Sequence, residues 1–553
     1  MGCRPRNLQR AGVGASNGRL RADAGDHVAE IGTGTVPEDR GSFMKGSPYR
    51  SLLASVATTA ALFALPAGAA TFEPGECPKT NDSVAALAQA RCGWLTVPEN
   101  RTKADSLPIR LPVVILAARA RQGADPIVYM EGGPGGPVLP SADVMVAANI
   151  NATRDVIMLG QRGSLYARPS LICPEVDGTN APMVGVMRNG PEARQLYVDA
   201  NEACRKRLVA QGVDLGGYNT TESATDFAEL RQALGIAEWN VLGVSYGTDL
   251  ALTYMRQHPE GVRSVTLDSV LPNFMATIAV FWTMQREGLD AIFASCAADP
   301  ACHVRYPDPM GTLAALVRKY EATPYRKRVA PVLVPGDKPE AGAEPVDVVV
   351  DGAAIAYWAG GVSELFGSRL PTLLYDAAGG RMDDVAASIA AIGFTHTTEP
   401  LSFGLLNGVV CSEWAPYEPA DSVLAAGRKA FPGYPDSVLS QSPQFPFMKD
   451  ICKAWKVARA PASQREVTRN AIPTLVIAGS FDALTSAHAA AEAAKPIPGS
   501  TLIVLPGSGH YVLPKSECAR KVMAAFIAEP RQKPDVSCVA DLKVPAFGDP
   551  PNR

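Results

Sequence analysis

The pattern of apolar positions along the first half of the chain predicts strands that alternate with helices. Nearly continuous apolar runs of strand length lie at 109–118, 126–130, 155–159, 238–244 and 262–270. Helical spacing of apolar residues follows at 221–235, where Phe227, Leu230 and Leu234 share a face, and at 246–258. Strands that alternate with helices form mostly parallel sheets covered on both faces, so the pattern predicts an α/β fold.

The alternation stops near residue 275 and returns near residue 466. The interval contains helical stretches such as 281–298 and a proline-rich segment of mixed charge at 323–345, which we interpret as a loop. Strand-like runs then return at 472–482 and 500–510, with helices expected near 485–495 and 517–530. We therefore predict one α/β domain, 71–274 and 466–553, divided by a large, mainly helical insertion at 275–465.

The region before residue 71 has the features of a secretory signal peptide at 44–70. Lys45 and Arg50 precede an apolar stretch at 52–65, and Ala67-Gly68-Ala69 forms a small-residue cleavage site. The apolar stretch is short for a membrane anchor, so we expect cleavage and no lasting membrane association. Residues 1–43 show no periodicity, and we hypothesise that they are a non-native or disordered extension upstream of a true start at Met44. The protein is thus expected to be secreted or periplasmic.

Composition and cysteine usage narrow the class of protein. The 553 residues are 47% hydrophobic and carry a formal net charge of −3, which argues against a nucleic-acid-binding protein. Ten cysteines follow the predicted signal peptide, an even number that predicts disulfides in an exported chain. We expect pairing between sequential neighbours, namely 77–92, 173–204, 296–302, 411–452 and 518–538. The absence of any Cys-x-x-Cys spacing argues against a metal site, and we predict no metal and no cofactor.

Three residues that could act together chemically follow predicted strands. Ser245 lies in Gly-Val-Ser-Tyr-Gly after the strand near 238–244, Asp482 follows the strand that begins at 472, and His510 follows the strand that begins at 500. Active groups of open α/β sheets lie beyond the carboxyl ends of strands, and the order Ser, Asp, His is that of a nucleophile-elbow hydrolase. The sequence therefore predicts a Ser-His-Asp triad, in which His510 activates Ser245 and Asp482 orients the imidazole.

The histidine and the acid each have competitors. Six histidines are present, and only His510 stands on a glycine-rich loop after a late strand. For the acid, Asp268 also ends a predicted strand. We prefer Asp482, since a Gly-x-x-Asp loop lets its carboxylate reach the histidine, and we expect Asp268 to bond nearby backbone.

The stretch Glu-Gly-Gly-Pro-Gly-Gly-Pro at 131–137 predicts an oxyanion hole. Glycines let the backbone approach a substrate closely and direct N–H groups at developing negative charge. Pro134 has no N–H, so the expected donors are Gly133 and Tyr246.

Five ordered stretches, at 131–137, 155–164, 241–248, 479–482 and 507–510, together resemble one family. The chain is similar to α/β-hydrolases of the prolyl iminopeptidase and tripeptidyl aminopeptidase type, peptidase family S33, over most of 75–540. The cysteine-bearing stretch at 405–416 resembles the exported tripeptidyl-aminopeptidase branch. The resemblance implies the same triad, an insertion that caps the site, and cleavage of short peptides from a free N-terminus, often near proline.

Two departures from the family pattern and one recognition requirement lead to further hypotheses. Gly160 stands where relatives carry an aspartate, and Glu131 opens the oxyanion loop; we hypothesise that Glu131 turns away and pairs with Arg162. An aminopeptidase must bind a protonated amine, for which Glu413 is the first candidate and Glu364 the second. Glu131 is a further candidate for substrate binding.

Two other functions fit the same sequence. An esterase or lipase would use the same triad on small carboxylic esters. An inactive hydrolase fold used for binding is the second alternative, against which the three filled triad positions argue. The sequence does not predict the oligomeric state.

Overall fold

The computed structural model describes residues 70–275, 277–333, 337–339, 342–393 and 399–548. The stretch 1–43 and all but the last residue of the predicted signal peptide lie outside these residues. His396 lies outside them as well.

A nine-stranded sheet forms the centre of the described part of the chain. Its strands are β1 (Thr71–Gly75), β2 (Arg91–Pro98), β3 (Pro108–Leu116), β4 (Ile127–Met130), β5 (Val156–Leu159), β6 (Trp239–Val244), β7 (Val262–Asp268), β10 (Thr474–Gly479) and β11 (Thr501–Leu505). The two remaining strands, β8 (Tyr325–Val329) and β9 (Val346–Val350), form a separate antiparallel hairpin. The order across the sheet is β1-β2-β3-β5-β4-β6-β7-β10-β11. Pairing is antiparallel from β1 to β5 and parallel from β5 to β11.

Both faces of the sheet are buried, which explains the nearly continuous apolar runs of its strands. In β4, Val128 and Met130 join one apolar cluster while Ile127 and Tyr129 join another. Because successive strand side chains point to opposite faces, both clusters require a cover of helices.

The described helices fall into three groups along the chain. Before the end of β7 lie α1 (Ser141–Ala147), α2 (Pro174–Asp177), α3 (Asn180–Val184), α4 (Pro191–Ala210), α5 (Thr220–Ala233) and α6 (Tyr246–Gln257). Between β7 and β10 lie α7 (Val280–Ala298), α8 (Pro300–Arg305), α9 (Pro309–Ala322), α10 (Gly352–Phe366), α11 (Leu370–Ala378), α12 (Met382–Gly393), α13 (Phe403–Val409), α14 (Ser422–Ala430), α15 (Asp436–Leu439) and α16 (Met448–Trp455). The last two are α17 (Ala487–Ala494) and α18 (Glu517–Ala528).

The observed architecture is the predicted α/β fold, with two differences. The prediction of a loop at 323–345 is wrong at its start, because 325–329 forms β8. This strand is rich in Arg and Lys and pairs with β9 on one edge only, so it lacks the apolar pattern of a core strand. The antiparallel strands β1 and β2 were also missed, since β1 is largely exposed and β2 alternates buried and half-buried residues.

The structure confirms the predicted cysteine pairing. All five sequential pairs have their sulfur atoms 1.93–2.09 Å apart. Within the described ranges, we find no helix that is long and apolar enough to cross a membrane.

Removing a disulfide is expected to lower the free energy of unfolding, and more so the longer the loop that the disulfide closes. The 411–452 pair closes 41 residues and the 296–302 pair closes 6. The chain-entropy relation gives about 4 kcal/mol for the first and about 2 kcal/mol for the second. Denaturant unfolding of the two double Cys→Ala variants should show this order, and an equal or reversed order would contradict it.

Candidate active site

Ser245 sits on a sharp turn between β6 and α6. Its φ is 57° and its ψ is −127°, a conformation that a residue with a side chain rarely adopts. Added Cβ atoms would lie 2.4 Å from the Gly247 carbonyl oxygen at Gly243 and 2.1 Å from the Met130 carbonyl oxygen at Gly247. Only glycine fits at both flanking positions, and the turn leaves Ser245 half-buried among buried neighbours.

His510 and Asp482 form a hydrogen-bonded pair. The loops that follow β10 and β11 bring His510 Nδ1 to 3.0 Å from Asp482 Oδ2. Asp482 is buried, and its Oδ1 accepts the N–H groups of Leu484 and Thr485 at 2.9 and 2.7 Å. The Thr485 hydroxyl donates to Asp482 Oδ2 at 2.7 Å and lies 3.1 Å from His510 Nδ1. The carboxylate is therefore fixed in the orientation that holds the imidazole.

The pair perturbs both acid–base equilibria. Burial alone would favour the neutral form of each group, but the neighbouring charges and hydrogen bonds together outweigh burial in both. The pKa of Asp482 is lowered by His510 and by the Thr485 hydrogen bonds, and the pKa of His510 is raised mainly by Asp482. Asp482 is thus an anion at neutral pH.

Asp268, the competing acid, connects the serine turn to the histidine loop. Its carbonyl oxygen accepts the Ser245 N–H at 3.1 Å. Its carboxylate accepts the N–H groups of Val512 and Leu513 at 3.1 and 2.9 Å, just beyond His510. Asp268 therefore bonds backbone, and His510 bonds Asp482. The Ser245 hydroxyl itself forms no hydrogen bond with another described residue within 3.5 Å.

The glycine-rich loop lies against the serine. A Cβ added at Gly132 would lie 3.0 Å from Ser245 Cβ and 3.6 Å from its Oγ. Gly133 has a φ of +123°, and an added Cβ there would come within 2.7 Å of two backbone nitrogens. Neither the Gly133 nor the Tyr246 N–H donates a hydrogen bond to any other described residue. Both proposed oxyanion donors are therefore available to a ligand.

We expect Gly132→Ala to lower turnover by about 100-fold, because the added methyl group must displace the serine or the oxyanion loop. Gly75→Ala is the matched control, since its Cβ would meet only Trp94 at 3.9 Å. Turnover and thermal unfolding of both variants test this. Wild-type turnover in a folded Gly132→Ala variant would contradict the placement of the loop.

The hypothesis that Glu131 pairs with Arg162 is wrong. The Glu131 carboxylate turns back onto its own loop, where Oε1 accepts the Gly132 N–H at 2.8 Å and the Tyr129 hydroxyl at 3.1 Å. Oε2 accepts the Ser141 hydroxyl. Burial raises the pKa of this carboxyl, and local hydroxyl and amide donors take the place of a cation.

Arg162 is fully buried and has other partners. Its guanidinium binds Asp226 of α5 through two bonds of 2.7 and 2.8 Å and donates to the carbonyls of Glu99 and Gly217 at 2.5 Å. Asp226, far along the chain, therefore supplies the carboxylate that Gly160 cannot. The spacing of residues in the sequence does not indicate this pair.

Glu413 and Glu364 both use their carboxylates within the fold. Glu413 is 2% exposed, and its two oxygens accept the Thr220 N–H at 2.7 Å and the Thr220 hydroxyl at 2.6 Å. Glu364 accepts the backbone N–H groups of Ala483 and His510. Sequence reasoning missed Thr485 and the position of Glu364 beside His510. An aspartate carboxylate often accepts hydrogen bonds from residues two or three positions further along the chain, and this tendency could have indicated Thr485 as a partner of Asp482.

Comparisons with known proteins agree with this fold. Residues 125–301 match the family model of the alpha/beta hydrolase fold, and residues 442–538 match the model described as TAP-like protein. Ser245 lies in the first match, and Asp482 and His510 lie in the second.

Three of the named relatives carry peptidase names. Tripeptidyl aminopeptidase of Streptomyces coelicolor is 33% identical over 194 residues, 33% of this chain and 35% of that protein. Serine protease Hip1 of Mycobacterium tuberculosis is 24% identical over 482 residues, 82% of this chain and 87% of that one. A probable proline iminopeptidase of S. coelicolor is 30% identical over 148 residues, 26% of this chain and 42% of that protein. The match thus spans about a third of the tripeptidyl aminopeptidase. The chain therefore has the α/β-hydrolase fold, and its residues 442–538 are similar to TAP-like proteins.

Proposed function

We propose that this protein is an exported serine aminopeptidase that releases short peptides or single residues from free N-termini. The observation that carries the proposal is the Asp482–His510 hydrogen bond on loops that Asp268 ties to the strained Ser245 turn. The peptidase names of the relatives favour amide over ester substrates.

Each residue has a chemical task in this proposal. His510 donates its Nδ1–H to Asp482, which leaves Nε2 as the base that takes the proton of Ser245 as the hydroxyl attacks the carbonyl carbon. The N–H groups of Gly133 and Tyr246 stabilise the oxyanion. His510 then returns the proton to the leaving amine, and water hydrolyses the acyl-enzyme.

Serine attack in this site requires a neutral imidazole. Because the His510 pKa is raised, the acid limb of kcat/KM is expected above pH 6.5, the ordinary histidine value. In enzymes, the hydrogen bond between a nucleophile and its base often tightens only in the substrate complex, and we expect the same of the Ser245 hydroxyl and His510.

The five disulfides support export, because disulfides persist mainly in oxidising compartments. The residue that binds the substrate amine is not assigned. Glu131, Glu364 and Glu413 each have both oxygens bound by groups of the protein itself.

The experiment compares a peptide library with free N-termini and the same library with acetylated N-termini, with products identified by mass. A short-chain nitrophenyl ester is assayed in parallel, and Ser245→Ala is the control for both. Cleavage near the N-terminus should fall at least about 100-fold on acetylation. Hydrolysis of the ester without cleavage of any peptide would overturn the aminopeptidase and leave the esterase alternative.

A further inference from the structure

The carboxyl end of α10, a helix between β7 and β10, contacts both loops of the Asp482–His510 pair. A Cβ added at Gly509 would lie 2.7 Å from the Glu364 carbonyl oxygen. A Cβ added at Gly367, just after α10, would lie 2.8 Å from the Phe481 ring. The helix end therefore packs without spare room against residues that adjoin His510 and Asp482.

The Glu364 carboxyl group bridges these two loops. Its Oε2 accepts the His510 N–H at 2.7 Å, and its Oε1 accepts the N–H of Ala483, which follows Asp482. One side-chain oxygen or nitrogen each of Glu364, Asp482 and His510 lies within 4.8 Å of the others. The bridge is thus short, and it places a third ionisable group at the pair.

Burial and the nearby Asp482 anion raise the pKa of Glu364 to about 8, so this carboxyl group is largely uncharged at neutral pH. When it ionises, it is among the charges that raise the pKa of His510. Charged groups on the packed elements include Asp268 under the histidine loop, Glu287 of α7, which is bonded to the Ser486 hydroxyl, and Lys515, whose Nζ donates to the His510 carbonyl at 2.7 Å.

We infer that Glu364 is a positioning residue, which fixes the spacing of the two loops that carry His510 and Asp482. The inference rests on the proposed hydrolase function. Glu364 acts through His510 and Asp482, which is a role other than amine recognition.

Glu364→Ala removes the bridge between the two loops. Glu364→Gln keeps the shape of the side chain and, because the carboxyl group is largely uncharged at neutral pH, also its charge state. We expect the rate constant for inactivation by a fluorophosphonate at pH 7 to fall about tenfold in Glu364→Ala and to be partly restored in Glu364→Gln.

Glu321→Gln is the matched control. This variant replaces a carboxylate that accepts the Gly352 N–H at the amino end of α10, away from the Asp482–His510 pair. The inactivation rate and pH profile of the variant should therefore equal those of the wild type. Glu364→Asp shortens the bridge, so its rate should also fall. It serves as the test if Glu364→Ala does not fold.

The possible results separate the two claims. An unreactive wild-type protein would overturn the hydrolase proposal and this inference together. A reactive wild type whose rate is unchanged in folded Glu364→Ala, or a rate in folded Glu364→Gln no higher than in Glu364→Ala, would overturn only the role of Glu364.

Discussion

Ser245→Ala is expected to lower kcat by about 10⁴–10⁶-fold on any substrate that the protein hydrolyses. The variant removes the atom that attacks the carbonyl carbon. Alanine and serine both carry a Cβ, so the φ of 57° that the turn imposes strains them equally, and the fold should be retained. The measurement is kcat from initial rates, with the folded state verified by circular dichroism.

The matched control for this prediction is Ser223→Ala. Ser223 is a buried serine of α5 whose hydroxyl has no hydrogen-bond partner among the described residues, so its removal should leave kcat unchanged. Residual turnover within tenfold of the wild type in Ser245→Ala would show that another group is the nucleophile.

The second large effect is expected for Asp482→Asn, with kcat lowered by about 10⁴-fold. The amide keeps the volume of the side chain but removes the anion that sets the tautomer of His510 and stabilises the imidazolium. Because Asp482 is the main group that raises the pKa of His510, the acid limb of the residual activity should also move to lower pH. The measurement is a pH–rate profile of wild type and variant.

Asp268→Asn is the comparison that separates the two acids. Its carboxylate accepts two backbone N–H groups and forms no hydrogen bond with the His510 imidazole, so the variant should lose mainly stability. A folded Asp268→Asn protein that loses more turnover than Asp482→Asn would contradict the assignment of the acid.

Much of the fold could be predicted because its main signals are local. The strands covered on both faces are apolar throughout. The Ser245 turn has no room for a Cβ at either flank, so the two glycines that mark it are visible in the sequence. The cysteine pairs are sequential neighbours, so their pairing needed no knowledge of the tertiary structure.

The failures concern contacts between distant parts of the chain. Arg162 forms its ion pair with Asp226 rather than with Glu131, and from the sequence alone several other carboxylates are equally good partners for Arg162. The approach of Glu364 to His510 depends on how α10 docks, which no local pattern encodes. β8 escaped prediction because its partner β9 lies beyond a long connection and its own residues are mostly charged.

The central claim is that Ser245 is made nucleophilic by His510, which Asp482 holds. Its most direct test is fluorophosphonate labelling followed by peptide mapping, carried out on the wild type and on His510→Ala. We predict a single adduct on Ser245 in the wild type and labelling at least about 10³-fold slower in the variant. An adduct on a different residue, or labelling of Ser245 at the same rate without His510, would contradict the account.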